Sequence, residues 1–278
     1  MRTAPFWSVD AFVGALGSRV LRGNPAAVVL LDCFPEDGAM QERASEFNLS
    51  ETAFVVSRGD CEFDLRWFTP EVEVDLCGHA TLAAAFALLD AAQLQEGQTA
   101  RFETRSGELK ALVEGERIEL DFPVQSVEEC ALPDELRAAL QMEKWKIGFC
   151  GRAADDWLLL VQRVELEQAR PDFPALAQLD ARGVILTALP EWPEENVDFL
   201  SRFFAPRLGV DEDPVTGSAH TKLAPFWAAR LGKTKMNAVQ LSDRGGQLGL
   251  EVRGQRVAIA GRCALRARGM LPPSHLTI

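Results

Sequence analysis

One sequence pattern occurs twice in this chain, in the same order and about half a chain apart. The segment Phe63–Pro70 alternates apolar and polar residues up to a proline, and an aspartate and a glycine follow in Asp75–Gly78. The segment Asp198–Pro206 has the same Arg-aromatic-Phe-x-Pro ending, and Asp213–Gly217 follows it. An ordered internal repeat indicates a duplicated structural unit, and the length of 278 residues fits two domains. The sequence therefore predicts two similar halves.

A long apolar helix is predicted after each repeated glycine, over His79–Leu94 and over Ser218–Leu231. A helix that is apolar nearly all round must be enclosed, and many strand-like segments with few helices between them favour antiparallel sheets or barrels. We therefore expect an α+β (α/β) fold of two pseudo-symmetric halves, each a rolled, mostly antiparallel sheet or barrel around a central helix. The polar run Val124–Cys130 indicates a linker. The expected domains are 1–126 and 127–278, with the last ~15 residues packing back on the first half.

Composition excludes several classes of function. The formal net charge is -12, which disfavours nucleic acid and anionic membranes as partners. No stretch approaches the roughly 20 apolar residues of a membrane span, so we expect a cytoplasmic protein. The six cysteines have no CxxC pairs or metal-ligand spacing, and they are expected to remain thiols. Tyrosine is absent, which excludes tyrosine-based catalysis.

The two predicted helix starts have the features of anion-binding sites. They are Gly78-His79-Ala80 and Gly217-Ser218-Ala219. The first backbone N–H groups of a helix have no partner within the helix, and the positive end of the helix dipole lies behind them. A small carboxylate could bind there. The alternative is that both segments only begin well-capped buried helices.

Several polar side chains near these starts are candidates for chemistry. His79 and His220 lie beside the repeated glycines, whereas the third histidine, His275, lies near the C-terminus. A buried histidine is more often a hydrogen-bonded core residue than a catalyst. Asp213 could orient a polar substrate group or could be a turn residue before a proline. Glu51, at the start of an apolar strand, could act as a general base or could be a solvated strand-end residue.

These motifs together resemble the phenazine-biosynthesis PhzF-like family, whose relatives share the fold of diaminopimelate epimerase. The resemblance covers nearly the whole chain and comes from an ordered set of strings, which is highly specific. The strings are Asp10-Ala11-Phe12, Gly23-Asn24-Pro25-Ala26-Ala27-Val28-Val29, Asn48-Leu49-Ser50-Glu51-Thr52-Ala53-Phe54-Val55, Phe68-Thr69-Pro70, Cys77-Gly78-His79-Ala80-Thr81-Leu82-Ala83, Ser201-Arg202-Phe203-Phe204-Ala205-Pro206, Glu212-Asp213-Pro214-Val215-Thr216-Gly217-Ser218-Ala219-His220, Gln240-Leu241-Ser242 and Arg244-Gly245-Gly246.

The resemblance implies a cofactor-independent isomerase, with no metal, that acts on a small carboxylate-bearing substrate in a cleft between the halves. It implies that Glu51 is the acid/base, that His79 is the histidine of the cleft and that Asp213 orients the substrate. It also suggests a homodimer. The residues expected to bind substrate are Gly78, Gly217, Ser218, Ala219 and His220.

The related epimerases use two facing cysteines as bases, one in each half. Here Cys77 stands near the first helix start, but the corresponding stretch Val215–Ser218 has no thiol. A single carboxylate that removes a proton and returns it elsewhere instead supports allylic isomerisation, and Cys77 is expected to be a packed small residue. Two alternatives stay open: a non-catalytic small-molecule-binding protein, and a metal-dependent enzyme. The ligands of such a metal would be His79, His220, Asp213 and Glu51.

Overall fold

The structure, a computed structural model, describes residues 3–191 and 196–272 and consists mainly of strands. Its strands are β1 (Ala4–Leu16), β2 (Arg19–Leu21), β3 (Asn24–Leu31), β4 (Glu51–Gly59), β5 (Glu62–Phe68), β6 (Glu73–Val74), β7 (Thr99–Thr104), β8 (Gly107–Glu114), β9 (Arg117–Pro123), β10 (Glu128–Glu129), β11 (Phe149–Ala153), β12 (Asp156–Leu160), β13 (Gly183–Ala188), β14 (Phe199–Phe204), β15 (Lys235–Gln240), β16 (Gly246–Arg253) and β17 (Arg256–Leu271). Its helices are α1 (Asp37–Phe47), α2 (Gly78–Asp90), α3 (Asp134–Ala139), α4 (Arg163–Gln168), α5 (Phe173–Ala177) and α6 (Gly217–Leu231). His275 and the end of the C-terminal tail lie outside the described residues.

Contacts along the chain divide it into two compact units, each made from separate stretches of sequence. The first unit comprises Met1–Gly14, Arg22–Phe122 and Ala258–Ile278, and the second comprises Ala15–Leu21 and Pro123–Val257. Neither unit is thus a single continuous half of the sequence.

In the first unit, neighbouring strands alternate between antiparallel and parallel pairing. β1 pairs antiparallel with β3, β3 parallel with β4, β4 antiparallel with β5, β5 parallel with β7, and β7 antiparallel with β8. A parallel pair needs a crossover connection, and α1 and α2 lie in the two crossovers. Residues on both faces of β3 are buried, and its sequence is accordingly an almost continuous apolar run.

The second unit repeats this order of pairings. β11 pairs antiparallel with β12, β12 parallel with β13, β13 antiparallel with β14, β14 parallel with β15, and β15 antiparallel with β16. Helices α4 and α5 lie in the first crossover, and α6 lies in the second. The predicted pseudo-symmetric, sheet-dominated fold is confirmed.

The strand registers identify corresponding residues in the two units. Phe68 and Phe204 occupy the same position of the repeated motif. Phe68 faces Thr52, the second residue of β4, and Phe204 faces Val184, the second residue of β13. The first residues of β4 and β13 therefore correspond to each other.

These two first residues are Glu51 in β4 and Gly183 in β13. A Cβ atom on Gly183 would lie 2.3 Å from the Phe203 ring and 2.9 Å from the backbone oxygen of Phe204. Real side chains do not approach this closely, because interiors are already close-packed. The second unit therefore has no room for a carboxylate at the position that Glu51 occupies in the first.

The long helices are enclosed within their units, as the sequence predicts. Nine of the 13 residues of α2 are buried, among them Leu82 and Leu88. Helix α2 packs against β3, β4 and β8, and α6 packs against β15 and β16. Burial of each such leucine stabilises the fold by about 1.5–3 kcal/mol, so the enclosed helix contributes strongly to the core.

None of the helices within residues 3–191 and 196–272 combines the length and the apolar character needed to cross a bilayer.

Candidate active site

Glu51 enters β4 directly after a tight helix end. Helix α1 stops at Asn48, which adopts the left-handed conformation with φ 48° and donates its backbone N–H to the carbonyl oxygen of Ala44. Asparagine tolerates this conformation better than most residues. Glu51 then pairs with Ala26 of β3. Its side chain is 19% exposed, so the carboxyl group is partly buried but not sealed from solvent.

His79 lies opposite this carboxyl group, at the second position of α2. Its Nε2 atom is 3.0 Å from Oε2 of Glu51. Both atoms are buried, and within the described chain neither has a hydrogen bond of regular geometry. Buried polar atoms without well-formed partners are uncommon and mark sites that need an explanation. A buried acid and imidazole in contact are a typical acid–base arrangement.

The other ring nitrogen of His79 faces two different side chains. Its Nδ1 atom is 3.2 Å from the amide nitrogen Nδ2 of Asn24 and 3.5 Å from Sγ of Cys77. The Ser50 hydroxyl in turn donates to Oδ1 of Asn24 at 2.9 Å. Asn24 is fully buried, so its amide is held in a fixed orientation.

Asn24 and Ser50 lie within the sequence motifs, but neither has a predicted role. Each has a sequence feature that could have pointed to it. Asn24 is a polar residue at the start of the buried strand β3, and Ser50 immediately precedes Glu51. The sequence does not show that Asn24 lies near His79, because the two residues are 55 positions apart in the chain.

The charges around His79 act in opposite directions. Burial lowers the pKa of His79, whereas the negative charges of an ionised Cys77 and of Glu51 raise it, to well above the usual value when both are ionised. Burial, with the nearby Glu51 charge, raises the pKa of the Cys77 thiol itself. At neutral pH Cys77 is therefore a neutral thiol. The charge of Glu51 is then the main effect that raises the pKa of His79 against the effect of burial.

Glu51, Cys77 and His79 also form the group of donors that comes close enough to share an ion among the described residues. Cys77 lies at Nδ1 of the imidazole, however, and Glu51 lies at Nε2. One donor atom from each of the three residues nevertheless lies within 4.8 Å of the other two. Catalytic zinc sites need three protein ligands around one point, and this group offers that number of donors.

Asp213 lies in the second unit, in the loop before α6. The hydroxyl of Thr216 donates to its carboxylate. Gln240 donates from Nε2 to the backbone oxygen of Asp213 at 2.7 Å and accepts the Thr216 backbone N–H through Oε1 at 3.0 Å. These bonds fix the loop conformation, so the Asp213 carboxylate has a defined position relative to the start of α6.

His220 is fully buried inside the second unit. Its Nδ1 atom is 2.7 Å from the carbonyl oxygen of Thr216, and Nε2 is 3.5 Å from the Ser201 hydroxyl. The ring also stacks on Phe199, with 6.0 Å between centroids. Burial lowers the pKa of His220 to about 4, against the opposing effect of the Thr216 carbonyl. The ring is therefore neutral at pH 7, and both of its nitrogens are engaged inside the unit.

Ser218 adjoins a buried charge cluster that sequence analysis missed. The Arg182 guanidinium donates from Nη1 to the Ser218 hydroxyl at 3.2 Å and forms a bidentate ion pair with Asp156. Lys222, one helical turn after Ser218, donates to the same Asp156 carboxylate at 2.7 Å. Asp156 has no exposed surface, so its charge needs a partner, and the two cations balance Asp156 together with the neighbouring Asp155.

The two helix starts have matching geometry. The residue before each helix, Cys77 for α2 and Thr216 for α6, is extended, with φ of -145° and -114° respectively. In these described segments neither residue caps its helix with a side-chain hydrogen bond. The first N–H groups of α2 and α6 therefore lack the usual side-chain partner, which is the condition the predicted anion sites require.

The predicted site residues thus fall into two groups. Glu51, Gly78 and His79 come together in the first unit. The second unit holds the others at or just before the start of α6, and their roles stay predictions. They are Asp213, Gly217, Ser218, Ala219 and His220.

Comparisons with known proteins give consistent results. The family model described as phenazine biosynthesis-like protein matches residues 9–269. A Pseudomonas aeruginosa protein described as an uncharacterized isomerase is 48% identical over 267 residues, which cover 95% of this chain and 97% of that protein. The crystal structure of a phenazine biosynthesis protein of the PhzF family from Enterococcus faecalis has a TM-score of 0.88 and is 42% identical, covering 98% of this chain and 100% of that one.

A more distant structure shares the architecture. A hydroxyproline epimerase from Agrobacterium vitis, solved with trans-4-OH-L-proline bound, has a TM-score of 0.62 at 15% identity, and the match covers 100% of this chain and 95% of that one. At this identity the likeness concerns the fold alone. It agrees with the epimerase-like fold that the sequence predicts.

Proposed function

The chain belongs to the phenazine biosynthesis-like (PhzF) family, and on that basis we propose that it is an isomerase that moves a proton within a small carboxylate-bearing substrate. Glu51 is the acid/base of this reaction. Its carboxylate removes a proton from one carbon, and the O–H bond formed on Glu51 then breaks as the proton is returned to another carbon. The net change is an isomerisation without gain or loss of electrons, so the chemistry needs no redox cofactor.

The observation that supports this proposal most is the contact between Glu51 and His79. The two buried atoms, Oε2 and Nε2, lie 3.0 Å apart without well-formed bonds to other described groups. A carboxylate that must accept and release a proton needs a neighbour that orients it without neutralising its negative charge. His79 meets this need, and it lies in the first turn of α2, at the positive end of the helix dipole.

A single base also agrees with the cysteine content of the two helix starts. Cys77 precedes α2, but Thr216 holds the corresponding position before α6. Burial raises the pKa of the Cys77 thiol, which makes it a poor source of thiolate at neutral pH. These observations support one-carboxylate isomerisation over proton exchange between two thiols.

We further propose that Asp213 orients the substrate and that the helix start Gly217–Ala219 binds its carboxylate. Two observations within the second unit support these roles. The hydrogen bonds from Thr216 and Gln240 fix the loop of Asp213. Helix α6 begins without a side-chain cap among its described residues. An uncapped helix start that follows a fixed acidic loop suits a substrate with both a carboxylate and a polar donor.

Deuterium exchange tests the proposed function without knowledge of the physiological substrate. The protein is incubated in D2O with a panel of small cyclic and amino carboxylates, and deuterium on carbon is measured by mass spectrometry and NMR. We expect exchange into at least one compound and a loss of about a hundredfold or more in Glu51→Gln. The matched control is Glu114→Gln, at an exposed glutamate that ends β8. Equal exchange rates in Glu51→Gln and wild type would exclude Glu51 as the acid/base.

A further inference from the structure

A chain of hydrogen bonds reaches His79 from the side opposite Glu51. The Ser50 hydroxyl donates to Oδ1 of Asn24 at 2.9 Å, and Nδ2 of Asn24 is 3.2 Å from Nδ1 of His79. Asn24 is the first residue of β3 and has no exposed surface. The turn before it depends on Gly23, which has φ 70° and whose Cβ atom would lie 2.2 Å from the Ala11 carbonyl oxygen.

The direction of these bonds determines which ring nitrogen carries the proton. Because Ser50 donates to the amide oxygen of Asn24, the amide nitrogen is the atom that faces the imidazole. An amide N–H can only donate, so Nδ1 of His79 must accept. A neutral ring with an accepting Nδ1 has its proton on Nε2, and Nε2 is the atom beside Glu51.

We propose that Asn24 is a positioning residue that holds His79 as the neutral Nε2–H tautomer, so that the ring always presents a hydrogen-bond donor to Glu51. Ser50 supports this role because it sets the orientation of the amide. The effect on turnover rests on the proposed function of Glu51, whereas the tautomer itself does not.

The tautomer has a chemical consequence at Glu51. An imidazolium beside the carboxylate would add a full positive charge and would make the carboxylate a weaker base. A neutral Nε2–H donor orients the same oxygen without that charge, which leaves the carboxylate able to accept a proton from carbon. An Asn24 N–H at Nδ1 opposes the imidazolium directly, because a protonated Nδ1 would direct its own hydrogen at the amide hydrogen.

His220 provides an internal reference for this assignment. Its Nδ1 atom is 2.7 Å from the Thr216 carbonyl oxygen, which can only accept, so His220 has its proton on Nδ1. The protein therefore holds two buried histidines in opposite tautomeric forms. It has only three histidines in all, which keeps a histidine-selective spectrum simple.

Long-range 1H–15N correlation spectra of protein with 15N-labelled histidine test the proposal. Signals are assigned with His79→Gln and His275→Gln variants. At neutral pH we expect Nε2–H for His79 and Nδ1–H for His220. In Asn24→Asp the carboxylate can only accept, so we expect His79 to gain a proton on Nδ1 while His220 is unchanged. The matched control is Asn48→Asp, at an exposed helix end in the same unit, and it should leave the His79 signals in place.

A protonated Nδ1 on His79 in the wild type, or identical His79 signals in wild type and Asn24→Asp, would overturn the proposal. The kinetic arm uses the panel carboxylate that exchanges most deuterium, and we expect at least a tenfold lower kcat in Asn24→Asp with little change in KM. An equal kcat would reject the positioning role even if the tautomer is as expected. Absence of exchange with every panel compound would instead count against the proposed function, and the spectra would still decide the tautomer.

Discussion

Acid is expected to destabilise the second unit through His220. Burial holds the pKa of this ring at about 4, against the usual 6.5. An unfolded chain takes up the proton at the higher pH, so the folded state loses stability as the pH falls between these two values. From this difference the loss is ~2 kcal/mol by pH 5 and ~3 kcal/mol by pH 4, and it is negligible at pH 7.

Urea unfolding of wild type and His220→Asn at several pH values measures this contribution. The variant should be less stable at pH 7, because it loses the stacking of the ring on Phe199. Its free energy of unfolding should nevertheless fall by ~2 kcal/mol less than that of the wild type between pH 7 and pH 5. Carboxylates titrate alike in both proteins, so the difference isolates the histidine. Parallel pH profiles would refute the reasoning.

The packing of the second unit and of α1 leads to three further stability predictions. Asp156→Asn should lower the free energy of unfolding by about 3 kcal/mol, because buried Lys222 keeps only the more distant, half-exposed Asp155 as a counter-charge. A loss below about 1 kcal/mol in chemical denaturation would contradict this. Gly183→Ala should cost about 1–3 kcal/mol, since the new methyl group meets the Phe203 ring. Gly38→Ala, in α1, should instead stabilise the protein by up to about 1 kcal/mol, because no described atom lies within 4 Å of the new methyl group. Thermal melts in which both glycine variants change the melting temperature in the same direction would disprove the packing argument.

The repeated motif was sufficient to predict the paired architecture, because strand alternation and helix apolarity are properties of local sequence. The end of the first long helix was predicted less well. Helix α2 ends at Asp90 and not at Leu94. Ala92 adopts a left-handed conformation with φ 56°, and the amides of Gln93 and Leu94 both bond to the Leu88 carbonyl. This helix-ending turn places an alanine where glycine is usual, so no residue type marks the turn in advance.

Strand β17 also extends further than the sequence predicts. The apolar run Val257–Ala260 is typical of a strand, but the strand continues to Leu271. The segment after Gly261 is rich in arginine and alanine and has little intrinsic preference for strand. It is a strand because it pairs along its length with β1, from Leu271 opposite Ala4 to Arg262 opposite Val13. Pairing of residues about 250 positions apart cannot be read from local composition.

The candidate site also has parts that the sequence predicts and parts that it does not. Glu51 and His79 were predicted because each lies in a motif next to a predicted element boundary. The amide that faces His79 and the Arg182–Asp156 pair were not predicted, because these contacts join residues that are distant in sequence. Position within a motif can be read from the sequence, but the orientation of a ring or an amide depends on the packed fold.

The glycine that begins β13 restricts how this scaffold can evolve or be engineered. The two units differ at the same structural position: one has a carboxylate, and the other packs an aromatic ring over bare backbone. A second acid grafted at Gly183 would therefore be excluded by steric overlap. A designer would have to shrink Phe203 first and accept the loss of its packing.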